Sequence, residues 1–215
     1  MVLDVGETVI DETRIWSRWA DRLGVPRFVL MGVLGGMAAL DQSFSEGFEL
    51  VRPGFDVEAE IAAWERDEPD SLRNHFDADD LYPDVREALG GLREAGYQVI
   101  LAGNQPVRAY DALVAMELPV DSVHTSDGWG CPSWRPGSSP RWPRSPGASR
   151  GRSSTWGGDR LDNDVRPAAA AGMRTALLRR GPWGYLHAAR PEAREAADVI
   201  ADDLHALLPA LRRLA

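Results

Sequence analysis

Residues 157–178 read Gly-Gly-Asp-Arg-Leu-Asp-Asn-Asp-Val-Arg-Pro-Ala-Ala-Ala-Ala-Gly-Met-Arg-Thr-Ala-Leu-Leu. Two glycines lead into an acidic loop, Asp159 to Asp164, and a helical run from Asp164 ends at Gly172. Thr175-Ala176-Leu177-Leu178 is then short, apolar and uncharged, as a buried strand should be. The same alternation extends both ways. Downstream, Ala197-Asp198-Val199-Ile200 is a strand and Leu204 to Leu214 a closing helix. Upstream, Pro83 to Gly96 is an amphipathic helix with Val85, Leu89 and Leu92 on one face, and Tyr97 to Ala102 is a buried strand. Gly103-Asn104-Gln105-Pro106 turns into a helix reaching about Met116, and Ser122-Val123-His124 is a short strand. Met1-Val2-Leu3 supplies a first strand, closed by Asp4-Val5-Gly6-Glu7-Thr8. Repeated strand–helix units predict an α/β fold, a doubly wound, mainly parallel sheet with helices on both faces. Such sheets bind ligands at the carboxyl ends of their strands. Asp4, Gly103 and Asp159 all stand at such ends.

Between the first strand and Pro83 the pattern is helical without a clear strand. Ile15, Trp16, Trp19 and Leu23 fall at helical spacing, as do Val57, Ile61 and Trp64, with Pro26, Pro53 and Pro69 as punctuation. The expected division is an α/β core of 1–12 and 81–215, with residues 13–80 inserted as a helical cap. Trp16 and Trp19 read as cap core. Phe28 to Leu40 is the longest uncharged apolar stretch, 13 residues. A membrane span needs about 20, so it reads as a buried helix whose Gly32 and Gly36 admit a close neighbour.

The chain of 215 residues carries a formal charge of −9, which argues against nucleic acid as the main partner. Cys131 is the sole cysteine, so no internal disulfide forms. Asp4 interrupts any apolar leader, and a cytoplasmic location without membrane contact is expected. His75, His124, His187 and His205 share no metal-ligand spacing and read as ordinary polar residues. Arg14 reads as a solvated helix residue.

Cys131 to Trp156 departs from this pattern. Its 26 residues hold seven Ser, five Pro, five Arg and three Trp, with no Leu, Ile, Val, Met or Phe. Such a composition supplies neither a core helix nor a buried strand, yet the alternation calls for both here. Two readings stand: a long natural loop, or a compensated frameshift in a GC-rich gene. Moving the frame back one nucleotide permits a lysine loop, an amphipathic helix and an Ile-Val-Tyr-Val strand, in that order. The lysine falls at position 133, where this chain has Ser133.

The order of the motifs is more specific than any one of them. Strand-Asp4-x-x-x-Thr8, a helical insert, Leu81-Tyr82-Pro83-Asp84-Val85-Arg86-Glu87-Ala88-Leu89, strand-Gly103-Asn104, Gly158-Asp159-x-x-x-x-Asp164 and Ala171 to Ala176 together resemble the haloacid dehalogenase (HAD) superfamily, subfamily I, with its helical cap. The resemblance covers the chain except Cys131 to Trp156. It implies that Asp4 is a nucleophile forming an aspartyl intermediate, which splits one hard step into two. It implies Mg²⁺ held by Asp4, the Gly6 carbonyl and Asp159, with Asp164 behind them or as an occasional direct ligand. It also implies that Gly103 and Asn104 offer backbone amides to phosphate.

Three departures accompany it. Gly6 stands where phosphatases of the family carry a second Asp, the general acid/base. Gly103 stands where a Ser or Thr is usual, and the charge-balancing lysine has no counterpart; Arg135 is near in sequence. Three functions remain open: a Mg²⁺-dependent phosphatase acting on a small anionic metabolite, a catalytically impaired binding protein on the same fold, and a 2-haloacid dehalogenase. The frameshift reading makes a direct prediction: the gene's alternative frame across codons 131–156 encodes a helix followed by a strand. Sequencing the encoding DNA checks it, and a stop codon or polar tract in that frame leaves the natural loop.

Overall fold

The computed structural model describes residues 1–68, 76–105, 107–126 and 154–214. Among them, six strands form one sheet: β1 (Val2–Leu3), β2 (Ile100–Gly103), β3 (Ser122–Thr125), β4 (Thr155–Gly158), β5 (Arg174–Leu178) and β6 (Val199–Ala201). All neighbours run parallel, in the order β3-β2-β1-β4-β5-β6. The winding reverses between β1 and β4. That is the topological switch point at which doubly wound sheets open a crevice for ligand.

Central strands of a parallel sheet are covered on both faces, so they are apolar throughout rather than alternating. Ile100 to Gly103 is buried at all four positions, and Thr175 to Leu178 likewise. β4 was not expected from its residues: Thr155 and Trp156 belong to the segment judged unable to give a buried strand, yet all four of its residues are buried. The correction has a steric reason. A Cβ on Gly157 would lie 2.8 Å from Leu3 Cδ2, and one on Gly158 2.3 Å from Asp164 Oδ2. Large β-formers are excluded there because β1 and the acidic loop pack directly onto the backbone. The remainder of the Cys131–Trp156 segment, through Ser153, lies outside the described residues, as does His75.

The helices are α1 (Thr13–Leu23), α2 (Arg27–Ala39), α3 (Phe44–Val51), α4 (Val57–Asp67), α5 (Val85–Glu94), α6 (Val107–Ala115), α7 (Arg166–Ala170), α8 (Gly181–Ala188), α9 (Pro191–Ala196) and α10 (Leu207–Arg213). Four of them fill the stretch 13–67. Ser43 opens α3 with a capping box to Glu46, and the Asp56 side chain accepts from Ala59 N–H to open α4. Trp19 is the hub, 4.9 Å from Phe48 and edge-on to Trp64 at 5.1 Å between ring centroids. The buried apolar set runs without a break from these aromatics to Leu3, Val5, Leu89 and Leu101 under the sheet.

α2 corrects a second expectation. Leu30, Leu34, Met37 and Ala38 are buried, but Phe28 is 88% exposed. A Cβ added at Gly32, Gly35 or Gly36 would meet nothing within 4 Å, so among the described residues these glycines admit no neighbour. The close approach comes from α3, where a Cβ on Gly47 would stand 3.1 Å from Met37 Cγ. Among the described residues no single helix is long and apolar enough to cross a membrane.

The chain leaves the sheet after β1 and returns before α5, and the two crossings are tied together. Asp11 N–H donates to Asp80 O at 2.8 Å and Tyr82 N–H to Val9 O at 3.1 Å. Arg180, at the end of β5, is 6% exposed and donates to Asp84 Oδ2 and to Thr8 O, both at 2.5 Å. Its guanidinium also lies 4.1 Å from the centroid of the Tyr82 ring. Asp84 Oδ2 further accepts Leu204 N–H at 2.6 Å. Removing one partner of a buried pair strands the other charge, at a cost of about 3–5 kcal/mol. Asp84→Ala should therefore lower the urea unfolding free energy by about that much. The Asp84→Leu/Arg180→Met pair should lose less than the single variant. A loss below about 1 kcal/mol in Asp84→Ala would show that the pair is solvated instead.

Candidate active site

β1 ends at Leu3, and Asp4 N–H donates to Gly157 O at 2.8 Å, which fixes Asp4 beside β4. The chain then winds tightly: the N–H groups of Thr8, Val9 and Ile10 all close on the Val5 carbonyl, and Glu7 takes a φ of 48°. The Gly6 carbonyl stands outside that set. From β4 the chain passes through Asp159 into a π-helical turn, Leu161–Val165. Asp164 Oδ2 accepts Arg160 N–H at 2.9 Å, and Oδ1 accepts the Trp156 indole N–H at 3.3 Å. The turn thereby points Asp164 back across Gly158.

The result is a convergence at the switch point. Carboxylate oxygens of Asp4, Asp159 and Asp164 all lie within 4.8 Å of one another. Among the described residues no hydrogen bond ends on the Asp159 carboxyl, so both its oxygens are available. Burial, then the charge of Asp164, holds the Asp4 carboxyl well above the usual range. Asp159 is raised by burial and by Asp164 and Asp4. Asp164 is pushed up to about 6 by burial, against the pull of Arg160's N–H and guanidinium. Three carboxylates in one desolvated space repel each other unless protons or a cation intervene. Hard oxygens at this spacing suit a small divalent cation.

Among the described residues one cation reaches this group. The Arg160 guanidinium forks onto Asp162 at 3.1 and 2.7 Å, lies 5.0 Å from the Trp183 ring centroid, and lowers the pKa of Asp4, Glu12, Asp159 and Asp164 alike. Sequence reasoning looked for this charge at position 133 or Arg135, both outside the described residues. The overlooked signal was an Arg directly after the loop's first Asp. His187 was likewise read as an ordinary polar residue. It is buried, and its Nδ1 accepts Leu161 N–H at 3.0 Å, pinning the acidic turn to α8. Burial pushes its pKa down, which keeps that nitrogen free to accept.

The remaining expected residues fall as follows. Gly103 closes β2, and a Cβ there would stand 2.8 Å from Val5 Cγ2, so this backbone leaves no room for Ser or Thr. Asn104 is an exposed bend before α6. Glu7 turns away from Asp4, accepting the Tyr82 hydroxyl and, at 3.1 Å, Glu12 N–H. Arg14 is not simply solvated; it pairs with Asp77 at 3.0 Å and with Asp80.

With fold and geometry in hand, comparison with known proteins gives a consistent answer. A sequence-family model described as HAD-hydrolase-like matches residues 157–207. No curated protein sequence matches the chain. Among solved structures, an L-2-haloacid dehalogenase superposes with a TM-score of 0.63 at 18% identity, covering 98% of this chain and 97% of the other. A putative HAD-hydrolase from Bacillus subtilis bound to magnesium gives 0.62 at 14% identity, over 98% and 97%. A HAD phosphatase from Thermococcus onnurineus gives 0.51 at 19%, over 98% and 96%. The fold of the whole chain is thus that of these HAD proteins, and residues 157–207 also resemble the HAD-hydrolase-like family in sequence.

The electrostatics predict how the metal-free protein responds to pH. A free carboxyl titrates near 4, whereas Asp164 is raised to about 6 and Glu12 to about 8 in the folded chain. The folded state then holds more protons than the unfolded one, so stability present at acid pH is lost as pH rises through these values. In EDTA the thermal midpoint should fall between about pH 5 and pH 8. A flat or rising profile over that range would mean that the carboxyls are ordinary.

Proposed function

We propose that the protein is a Mg²⁺-dependent phosphatase acting on a small phosphorylated metabolite through an aspartyl-phosphate at Asp4. The observation that carries this reading is the meeting of Asp4, Asp159 and Asp164 oxygens within 4.8 Å at the switch point of the sheet. The residues fit the ion: among the described residues neither Asp159 carboxyl oxygen takes a hydrogen bond, the Gly6 carbonyl is left out of the turn's bonds, and Asp164 is already committed to Trp156 and Arg160. Asp4 and Asp159 would hold Mg²⁺ directly with the Gly6 carbonyl, and Asp164 would orient the loop behind them. When bound, Mg²⁺ neutralises carboxylate and phosphate charge, so that an anion can approach an anion.

The chain's own residues do the rest. Asp4, fixed by its N–H to the Gly157 carbonyl, presents its carboxylate oxygen to phosphorus. The amides of Gly103, the last residue of β2, and Asn104, just after it, border the same end of the sheet and are the candidate contacts for phosphate oxygens. Arg160 adds the positive charge that the family's lysine would carry. The carboxylate trio favours phosphate over a haloacid, because a carbon centre losing halide needs no divalent cation and gains nothing from three converging carboxylates.

Incubation with a panel of phosphomonoesters and Mg²⁺ should release inorganic phosphate. EDTA should abolish that release, and Asp4→Asn should lower it at least about 1000-fold. Activity unchanged in Asp4→Asn removes the nucleophile assignment. Chloride release from 2-chloropropionate, with no phosphate release from any ester, makes the protein a dehalogenase. Neither activity in the folded protein leaves the impaired binding protein.

A further inference from the structure

Expelling an alkoxide from phosphorus requires a proton, and the three clustered carboxylates are committed elsewhere if they hold a cation. A fourth carboxyl lies beside them. Glu12 is the residue at the start of α1 where a side chain normally caps the helix, but it makes no cap bond. Its side chain instead turns back on the Asp4 loop. An ideal Cβ on Gly6 would stand 2.4 Å from Glu12 Oε1 and 3.0 Å from its carboxyl carbon, so this carboxyl fills the place where a side chain at position 6 would begin. Gly6 is two residues from Asp4. The other oxygen, Oε2, accepts the Trp16 indole N–H at 3.1 Å, and the Glu12 backbone N–H is held by Glu7 Oε1 at 3.1 Å. The group is thus anchored at both ends while Oε1 faces the glycine.

We propose that Glu12 is the proton-transfer residue of this site, its carboxyl reaching from α1 into the space that Gly6 leaves empty. This rests on the phosphatase reading above. In the first step an Asp4 oxygen bonds to phosphorus as the ester P–O bond breaks, and the Glu12 proton passes to the departing oxygen, giving the alcohol. In the second, water bonds to phosphorus and its proton passes to the Glu12 carboxylate. The Asp4–phosphorus bond breaks, which frees phosphate and restores both carboxyls. Gly6 is required in this arrangement because any side chain there would displace the acid.

The experiment compares Glu12→Gln with the unaltered protein on two esters, an alkyl phosphate and p-nitrophenyl phosphate, in Mg²⁺. Gln preserves size and the Trp16 contact but carries no transferable proton. General acid catalysis is worth about 10²–10⁴ in rate and matters most for poor leaving groups. The alkyl ester should therefore lose at least about 100-fold in kcat/KM, which reads only the step that expels the leaving group, and the nitrophenyl ester less than about 10-fold. Equal losses on both, or none, overturn the role of Glu12 while leaving Asp4 in place, provided Asp4→Asn is inactive. Absence of phosphatase activity in the unaltered protein overturns the phosphatase reading, and this inference with it. A second arm moves the carboxyl: Glu12→Ala should be impaired on the alkyl ester, and Gly6→Asp added to it should restore at least about tenfold of that loss. Gly6→Asp alone should not help, because it meets the Glu12 carboxyl. Failure of the double variant to recover, with both variants folded by circular dichroism, also counts against the proposal.

Discussion

The contact on which this site depends is a side chain that is missing. β4 carries glycine at 157 and 158, so Leu3 from β1 and Asp164 from the acidic turn can lie directly on its backbone. A single methyl group on Gly158 would overlap the Asp164 carboxylate at 2.3 Å. A methyl at Gly157 would push β1 away and loosen the Asp4–Gly157 hydrogen bond. Glycine weakens a strand through backbone entropy. The cost is tolerable here because β4 is central, paired on both sides with β1 and β5. The exchange is local stability for the distance between Asp4 and Asp159.

That distance sets the electrostatics. Burying three carboxylates together raises each of their pKa values, and one guanidinium cannot neutralise three negative charges. Arg160 is moreover shared with Asp162. The metal-free fold thus carries strain of a defined kind, desolvated like charges. It is held in place from outside the cluster: by His187 on Leu161, by Trp156 on Asp164, and by the Arg180–Asp84 pair where the helical stretch joins the sheet. A divalent cation would relieve the strain without altering these supports, which explains how a preformed site can exist in a chain of net charge −9.

The sheet was legible in the sequence because its strands are apolar runs punctuated by Gly and Asp, and Asp4, Gly103 and Asp159 do stand at the ends of three adjacent strands, with Asp4 in the middle. β4 was not legible. Its burial follows from what packs on it, and a composition-based reading sees Thr-Trp-Gly-Gly as a poor strand. The glycines of α2 failed for the converse reason: Gly in an apolar helix marks a close neighbour only if a neighbour is there, and the contact falls instead on Gly47 of α3. The roles of His187 and Glu12 were not legible because each acts across the fold or around a turn, at separations that no linear pattern encodes, whereas Arg160 stands in the sequence directly beside Asp159. His187 meets a residue 26 positions away, and Glu12 is brought to Gly6 only by the tight winding after Asp4.

The three departures from the family's pattern take on a common physical character once the packing is known. Gly103 is set by Val5, whose side chain occupies the space a hydroxyl residue would need. Gly6 is set by Glu12, which occupies the space of a side chain at that position. The absent lysine leaves a charge deficit that Arg160 reduces from the other side of Asp159. In each case the chain lacks a familiar group but holds a neighbour in its place. A decayed site would be expected to lose such groups independently and leave cavities behind; a charge deficit persists here, but the space at Gly6 and Gly103 is filled. Here the substitutions are matched by packing. That pattern favours a rearranged active site over a vestigial one, and it makes Glu12, the best placed of the three neighbours to move a proton, the residue on which the choice turns.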